Sequence, residues 1–325
     1  MSSLNLPKHA GQHPLDQAND TSLMVGFVLM GFPSLSPASR LLLCSLLSIC
    51  YAFTLVGNLC IVWAVLRDSR LTRLPMYILL GNFSSLEMCY VTTTAPRMLW
   101  DLSSRLPGII SFNGCFLQFY FFFSMGTTES FLLAAMALDR YLAICHPLRY
   151  PLLMSPQVCC SLSAFCWASG FLWFLAPIVL ISKLYFCGPN TLDHFICDPG
   201  PLLASSCVPA PNTEMTFYSL SSIAIFGPFL FIMCSYAAVL KAVVRLPSAA
   251  SRKKAFSTCT SHLAVVGLFY GSIMVTYVAP EASGGSNKVV TLFYSVLTPL
   301  LNPVIYSLRN KEMKNALRRT LFQGN

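Results

Sequence analysis

Along the chain, apolar positions gather into seven long runs joined by short polar connections: residues 41–66, 75–99, 113–138, 157–181, 214–244, 256–279 and 289–308. Each reaches the roughly 20 residues that a helix needs to cross a bilayer. In hydrocarbon every backbone N–H and C=O must find its partner within the protein, so only helices and closed barrels span it. Barrel strands alternate apolar and polar positions over about ten residues, and these runs do not alternate. The pattern predicts an all-α membrane protein, a seven-transmembrane helix bundle forming one domain over residues 1–325. Residues 1–40 precede the bundle, 41–308 form it, and 309–325 are a tail.

Composition agrees with this class. The chain is 55% hydrophobic and 10% charged, with a mean hydropathy of +0.63, against roughly 25% charged residues in soluble domains. Charge adds the orientation. Of the 21 Lys and Arg, 15 fall on the side that holds Arg67, Arg140, Lys241, Lys254 and Arg319, and 6 (Lys8, Arg40, Arg97, Arg105, Lys183, Lys288) on the other. By the positive-inside rule the crowded side is cytoplasmic, so the N-terminus is expected outside. The net charge of +9 is then membrane asymmetry and points to membrane lipid, not to nucleic acid. Arg309 to Arg319 predicts a short amphipathic eighth helix on the inner leaflet. Residues 1–22 lack a basic start followed by an apolar core, so no cleaved signal peptide is expected. Asn19-Asp20-Thr21 is a glycosylation sequon on the outer side, whereas Asn82-Phe83-Ser84 lies inside the second run, out of reach.

The polar residues inside the runs narrow the function. Asn58 suits a hydrogen bond to a neighbouring helix. Glu87 and Glu129 are ionisable groups at bilayer depth, which marks a functional site by default. Like charges at one depth cannot both stay ionised unaided, so the pair shares a proton, binds a cation, or sits as two separately bonded neutral acids. Asp139-Arg140, at the inner end of the third run, could anchor a helix; His262 at the sixth could do the same. Pro177 predicts a kink in the fourth run, and Pro303 frees backbone groups near the end of the seventh. Nothing looks catalytic: there is no phosphate loop, no Ser/His/Asp constellation in one compartment and no metal-ligand spacing. A transporter would show inverted repeats and broken helices, and neither is found.

Four of the 14 cysteines fall on the outer side, Cys115, Cys187, Cys197 and Cys207. They permit three pairings, and an oxidising exterior favours disulfides. A metal site with His194 is the alternative, without the usual zinc spacing.

The motifs identify a family. MALDRYLAICHPLRYP over Met136 to Pro151 is joined by PMYILLGNFSSLE (Pro75 to Glu87), Ser235-Tyr236, KAFSTCTSHL (Lys254 to Leu263), Phe269-Tyr270-Gly271 and PLLNPVIY (Pro299 to Tyr306). In this order they resemble the odorant receptors, a subgroup of the rhodopsin-like G-protein-coupled receptors. The Cys-Trp-x-Pro kink of most other rhodopsin-like receptors is absent from the sixth run, which sets the chain apart from them. The alternative is a rhodopsin-like receptor for a metabolite or peptide. The resemblance implies no enzyme activity, a volatile ligand, and a heterotrimeric stimulatory G protein that raises cAMP at the plasma membrane of olfactory sensory neurons. It implies that Arg140 is held by Asp139 at rest and released on activation. Coupling would involve Asp139, Arg140, Tyr141, Tyr236, Lys253, Lys254, His262, Asn302, Pro303 and Tyr306. It selects the bridges Cys115–Cys197 and Cys187–Cys207. It also favours sodium at Glu87, Glu129 and Asn302, with no other cofactor.

Helical spacing places Phe123, Gly126, Thr127 and Ser130 on one face. The sixth run offers Tyr270, Ile273, Met274 and Tyr277, and the fifth offers Phe217, Leu220 and Ser221. Singly, such residues are usually packing. Together they describe a mainly apolar cavity with a few hydroxyls, the composition of a small-molecule pocket. With no carboxylate above Glu129, the expected ligand is a small, mostly neutral, hydrophobic volatile. Arg97 is expected to snorkel to the interface.

Overall fold

The computed structural model describes residues 26–104, 108–187, 190–245, 248–278, 286–309 and 311–322. Asn19 and the side chains of Lys254, Tyr277 and Tyr306 lie outside this description. In chain order come β1 (Gly26–Leu29), α1 (Pro37–Arg67), α2 (Pro75–Ser103), β2 (Gly108–Ser111), α3 (Phe112–Cys145), α4 (Tyr150–Leu153) and α5 (Pro156–Trp173). They are followed by α6 (Leu175–Ser182), β3 (Thr191–Leu192), α7 (Pro199–Ala204), α8 (Pro211–Val244), α9 (Ala249–Val278), α10 (Ser286–Arg309) and α11 (Lys311–Phe322). Helix thus covers each apolar run. Among the described residues, Pro37–Arg67, Phe112–Cys145, Pro156–Ser182, Pro211–Val244 and Lys288–Ile305 are long and apolar enough to cross a membrane, and Cys259–Val275 is a shorter apolar stretch. The helix α2 is long but more polar, with Asn82, Ser84, Ser85, Glu87 and Thr92 to Thr94 along it.

Helix starts follow local chemistry. Ser36, Ser111 and Ser155 each accept a hydrogen bond from the backbone N–H three residues on, and Pro37, Pro75, Pro156 and Pro211 occupy first turns, where proline's missing N–H costs nothing. The bundle centre is α3: 67% of its most apolar stretch is buried, against 28% in α1 and α8. It packs on α2, α5, α8 and α9. At its crossing with α5 a Cβ on Gly170 would lie 2.1 Å from Thr128 Oγ1, so only glycine permits this approach.

Prolines inside helices free carbonyls, and other helices bond two of them. Pro228 leaves the Ala224 carbonyl without its N–H; Ser130 Oγ of α3 donates to it at 3.1 Å. Pro303 does the same to Pro299, whose carbonyl accepts from Asn58 Nδ2 at 3.2 Å. At Pro177 the result differs from a kink within one rod. The fourth run is divided at Phe174 (φ −92°, ψ −2°) into α5 and α6, because Trp173 loses its helical partner.

The structure is helical as expected, with one small addition. At the end of the bundle carrying Cys115 (the disulfide end), three short strands form a sheet in the order β2-β1-β3. The middle strand β1 runs antiparallel to β2, with Phe27 opposite Ile110, and parallel to β3, with Val28 opposite Thr191. Strands of two to four residues are too short to show a two-residue period. Phe27 is fully buried in a cluster with Phe116, Phe119, Phe174 and Phe217. The opposite end, with Arg140, Lys253 and Arg319, is the basic end.

Candidate functional site

Burial distinguishes two positions on the expected ligand face of α3. Between Phe122 and Ser130 every residue is buried except Phe123 and Gly126, which stand three apart on one face and are partly exposed. A Cβ on Gly126 would meet only Tyr90 Cε2, at 3.9 Å. The Phe123 ring contacts Phe119, Phe174 and Phe217, with centroids 4.9, 5.5 and 5.4 Å away. Sequence reading missed Phe174, which follows from the helix break. Thr127 and Ser221 donate their hydroxyls to the Phe123 and Phe217 carbonyls at 3.0 and 2.8 Å, leaving oxygens that can accept from a ligand. Leu220 is half-buried, and its carbonyl accepts from Trp173 Nε1 at 3.0 Å. Ile273 and Met274 are half-buried one turn beyond Tyr270.

Beneath this face Ser130 joins three helices. Its one hydroxyl hydrogen goes to the Ala224 carbonyl, so in its 2.7 Å bond with Tyr270 the phenol is the donor. A ligand pressing on Tyr270 therefore touches a bond chain across α3, α8 and α9.

The acids lie deeper. Glu87 is fully buried and accepts from Asn302 Nδ2 at 2.6 Å; Glu129, 2% exposed, lies against Glu87. Glu87 Oε2, Glu129 Oε1 and Asn302 Oδ1 are buried without hydrogen-bond partners. Orphaned oxygens of this kind are costly, and hard cations take oxygen ligands, so the residues fit a cation.

At the basic end Asp139 is fully buried and spends both oxygens. Arg140 Nε donates to Oδ2 at 2.8 Å and Tyr150 of α4 donates to Oδ1 at 2.7 Å. Burial and the neighbouring Asp139 push the Tyr150 phenol up, keeping it a donor. Tyr150 was missed by sequence reading, although it lies within the same motif. Tyr236 and His262 Nδ1 are hydrogen-bonded at 2.7 Å across α8 and α9. Tyr141 pairs with His146 at 3.2 Å, Lys253 is exposed, and Pro303 is buried against Gly57. The last helix is docked by Arg319, which donates to Asp68 at 3.2 and 2.5 Å, and by Tyr77, which donates to Glu312 at 3.1 Å. The Arg319 bond holds the Asp68 carboxyl below its usual value.

At the disulfide end Cys115–Cys197 and Cys187–Cys207 are bridged. Arg97 extends toward the disulfide end, where its Nε donates to Asp101 at 2.9 Å and its guanidinium to the Ile109 carbonyl of β2 at 2.9 Å.

The chain matches known proteins on both sequence and shape. A family profile described as "Olfactory receptor" matches residues 47–324. Human olfactory receptor 11G2 is 55% identical over 96% of this chain and 90% of its own length. Human olfactory receptor 11H6 is 55% identical over 91% and 89%. Human olfactory receptor 6Y1 is 45% identical over 94% of each. Squid rhodopsin superposes with a TM-score of 0.72 over 88% of this chain and 82% of its own, at 17% identity, which shows a shared fold. The chain is a receptor and not an enzyme, and it belongs to the olfactory receptor family.

Proposed function

We propose that this receptor binds a small, mostly neutral, hydrophobic volatile between α3, α8 and α9, and activates a stimulatory G protein that raises cAMP. In this reading all seven apolar runs cross the plasma membrane of olfactory sensory neurons. The disulfide end and Asn19 face outside; the basic end and α11 face the cytoplasm. The observation that carries it is the partial exposure of Phe123 and Gly126, on an otherwise buried stretch of α3, next to the Tyr270–Ser130–Ala224 chain. Aromatic walls supply dispersion, and a direct hydrogen bond adds only about 0.5–1.5 kcal/mol net, so selectivity comes from shape.

Coupling is read at Arg140. Its release from Asp139 and Tyr150, with a rearrangement of Tyr236 and His262, would open the basic end to the G protein. A sodium ion held by Glu87, Glu129 and Asn302 would supply positive charge between the two carboxylates and so favour the resting arrangement of α2, α3 and α10.

An odorant panel scored by cAMP in a heterologous cell tests the whole reading. Neutral apolar volatiles are expected to activate, while charged amines are not; a receptor driven only by soluble peptides or metabolites contradicts it. Running the panel in sodium and in choline medium tests the ion. Parent and Glu129→Gln should differ in salt response, and identical behaviour removes sodium from the account.

A further inference from the structure

The N-terminal strand has a fastening that the ligand and coupling readings leave unexplained. Because β1 is the middle strand, β2 and β3 are joined only through it. Two residues after β1, Gly31 takes φ +54°, a left-handed conformation open to glycine at little cost. Its N–H donates to the His194 carbonyl at 3.1 Å, and its own carbonyl accepts from Lys288 Nζ at 3.2 Å. Lys288 begins the apolar stretch of α10, its side chain is 8% exposed, and it also pairs with the Asp193 carboxylate. A lysine this buried is retained only where it is paired. One ammonium thus ties a helix, a loop and the N-terminal segment.

The tied strand reaches toward the ligand face through a continuous aromatic stack. Ring centroids run from Phe27 to Phe112 at 6.0 Å, then to Phe116, Phe119 and Phe123 at 4.8, 6.3 and 4.9 Å. Beside the strand lies a cavity of about 40 Å³ bordered by Leu29, Phe32, Arg40, Met98 and Phe195. Packing on that side of the strand is therefore incomplete, and its backbone pairing and the Lys288 contact supply the rest of its fastening.

We propose that β1 is a roof strand over the ligand cavity and that Lys288 is the positioning residue that keeps it closed, through Gly31 and Asp193. Ligand reaches the cavity when this contact opens. The inference rests on the cavity placed at Gly126, so its test reads access instead of signalling.

Gly126→Cys receptor at the cell surface is treated with a water-soluble methanethiosulfonate, and labelling of that position is followed by mass spectrometry. The four outer cysteines are already bridged. Adding Lys288→Met should raise the labelling rate about tenfold, equivalent to about 1.4 kcal/mol of latch opening, and Lys288→Arg should restore the parental rate. A Lys288→Met rate within about twofold of the parent, or a Lys288→Arg rate equal to that of Lys288→Met, overturns the latch. Should Lys288→Met fail to reach the surface, cysteines at Val28 and Ile109, directly opposed in the sheet, lock the strand instead. Opposed antiparallel residues lie within disulfide reach. The locked receptor should label about tenfold more slowly than one carrying only Val28→Cys, and an unchanged rate overturns the roof. Absence of labelling in every background removes the cavity at Gly126 and the roof with it.

Discussion

The two ends of the bundle are held together by different kinds of contact. At the basic end the bonds described are all non-covalent, some close in sequence, as Tyr150 to Asp139 over 11 positions, and some distant, as Arg319 to Asp68 over 251. At the disulfide end covalent bridges join the non-covalent contacts. Cys115–Cys197 spans 82 positions, and Lys288 to Gly31 spans 257. The parts of the first end are non-covalent, and the proposed coupling requires that they exchange for a partner's groups. The second is a clamp, with two covalent bridges, a sheet and the Lys288–Asp193 ion pair, in which the lysine is buried and the aspartate exposed. In the proposed function, recognition falls toward the end that carries the covalent bridges, and transmission at the opposite end.

Breaking the clamp should cost most. Loss of a native disulfide typically costs about 2–5 kcal/mol, so Cys115→Ala is expected to lower surface receptor by about tenfold or more, measured by antibody on intact cells. Tyr150→Phe removes one hydrogen bond to a buried carboxylate, worth about 1.5–3 kcal/mol, and should lower the surface level by clearly less than Cys115→Ala does. Equal losses in both variants would erase the distinction between the ends.

A smaller effect concerns acid. His194 is buried, and burial together with Lys288 lowers its pKa from 6.5 to about 4. Between those values the unfolded chain binds more protons than the fold, so stability falls as pH falls. Asp198 acts oppositely: burial raises its carboxyl from 3.8 to about 6. Its contribution is full below pH 3.8 and is lost as pH rises through about 6. The two offset each other in the parent. In Asp198→Asn, which keeps a capping side chain for α7, the melting temperature should drop between pH 6.5 and 4.5, by on the order of 2 kcal/mol of stability. In His194→Asn it should rise over the same interval. Parallel pH profiles in the two variants would show that the loop does not couple to protonation.

At the basic end Asp139 and Arg140 could be read as a pair because they are adjacent, whereas the bonds of Tyr236 to His262 and of Arg319 to Asp68 join separate segments and were not foreseen. The helices could be read because apolar runs of this length leave the backbone few alternatives. The cysteine pairing was legible only through resemblance, since spacing left three options open. The sheet was not legible, because its strands are two to four residues long and meet across long intervals of sequence. Lys288 counted merely as one of six outer basic residues, with no local signal of burial. The break at Phe174 was foreshadowed by Pro177, but as a kink. Arg97 was expected to seek the interface, and its partners there, Asp101 one turn on and the Ile109 carbonyl, were not foreseen.

The division of labour between the ends is most directly tested by separating binding from signalling in one receptor. With an agonist from the panel, binding is read as the ligand-induced rise in melting temperature of purified receptor, and signalling as cAMP in cells at matched surface level. Arg140→Ala should keep the thermal shift and lose the cAMP response. Gly126→Leu, which fills the gap beside Phe123, should lose both. Full cAMP from Arg140→Ala, or a parental thermal shift and response from Gly126→Leu, would contradict the account.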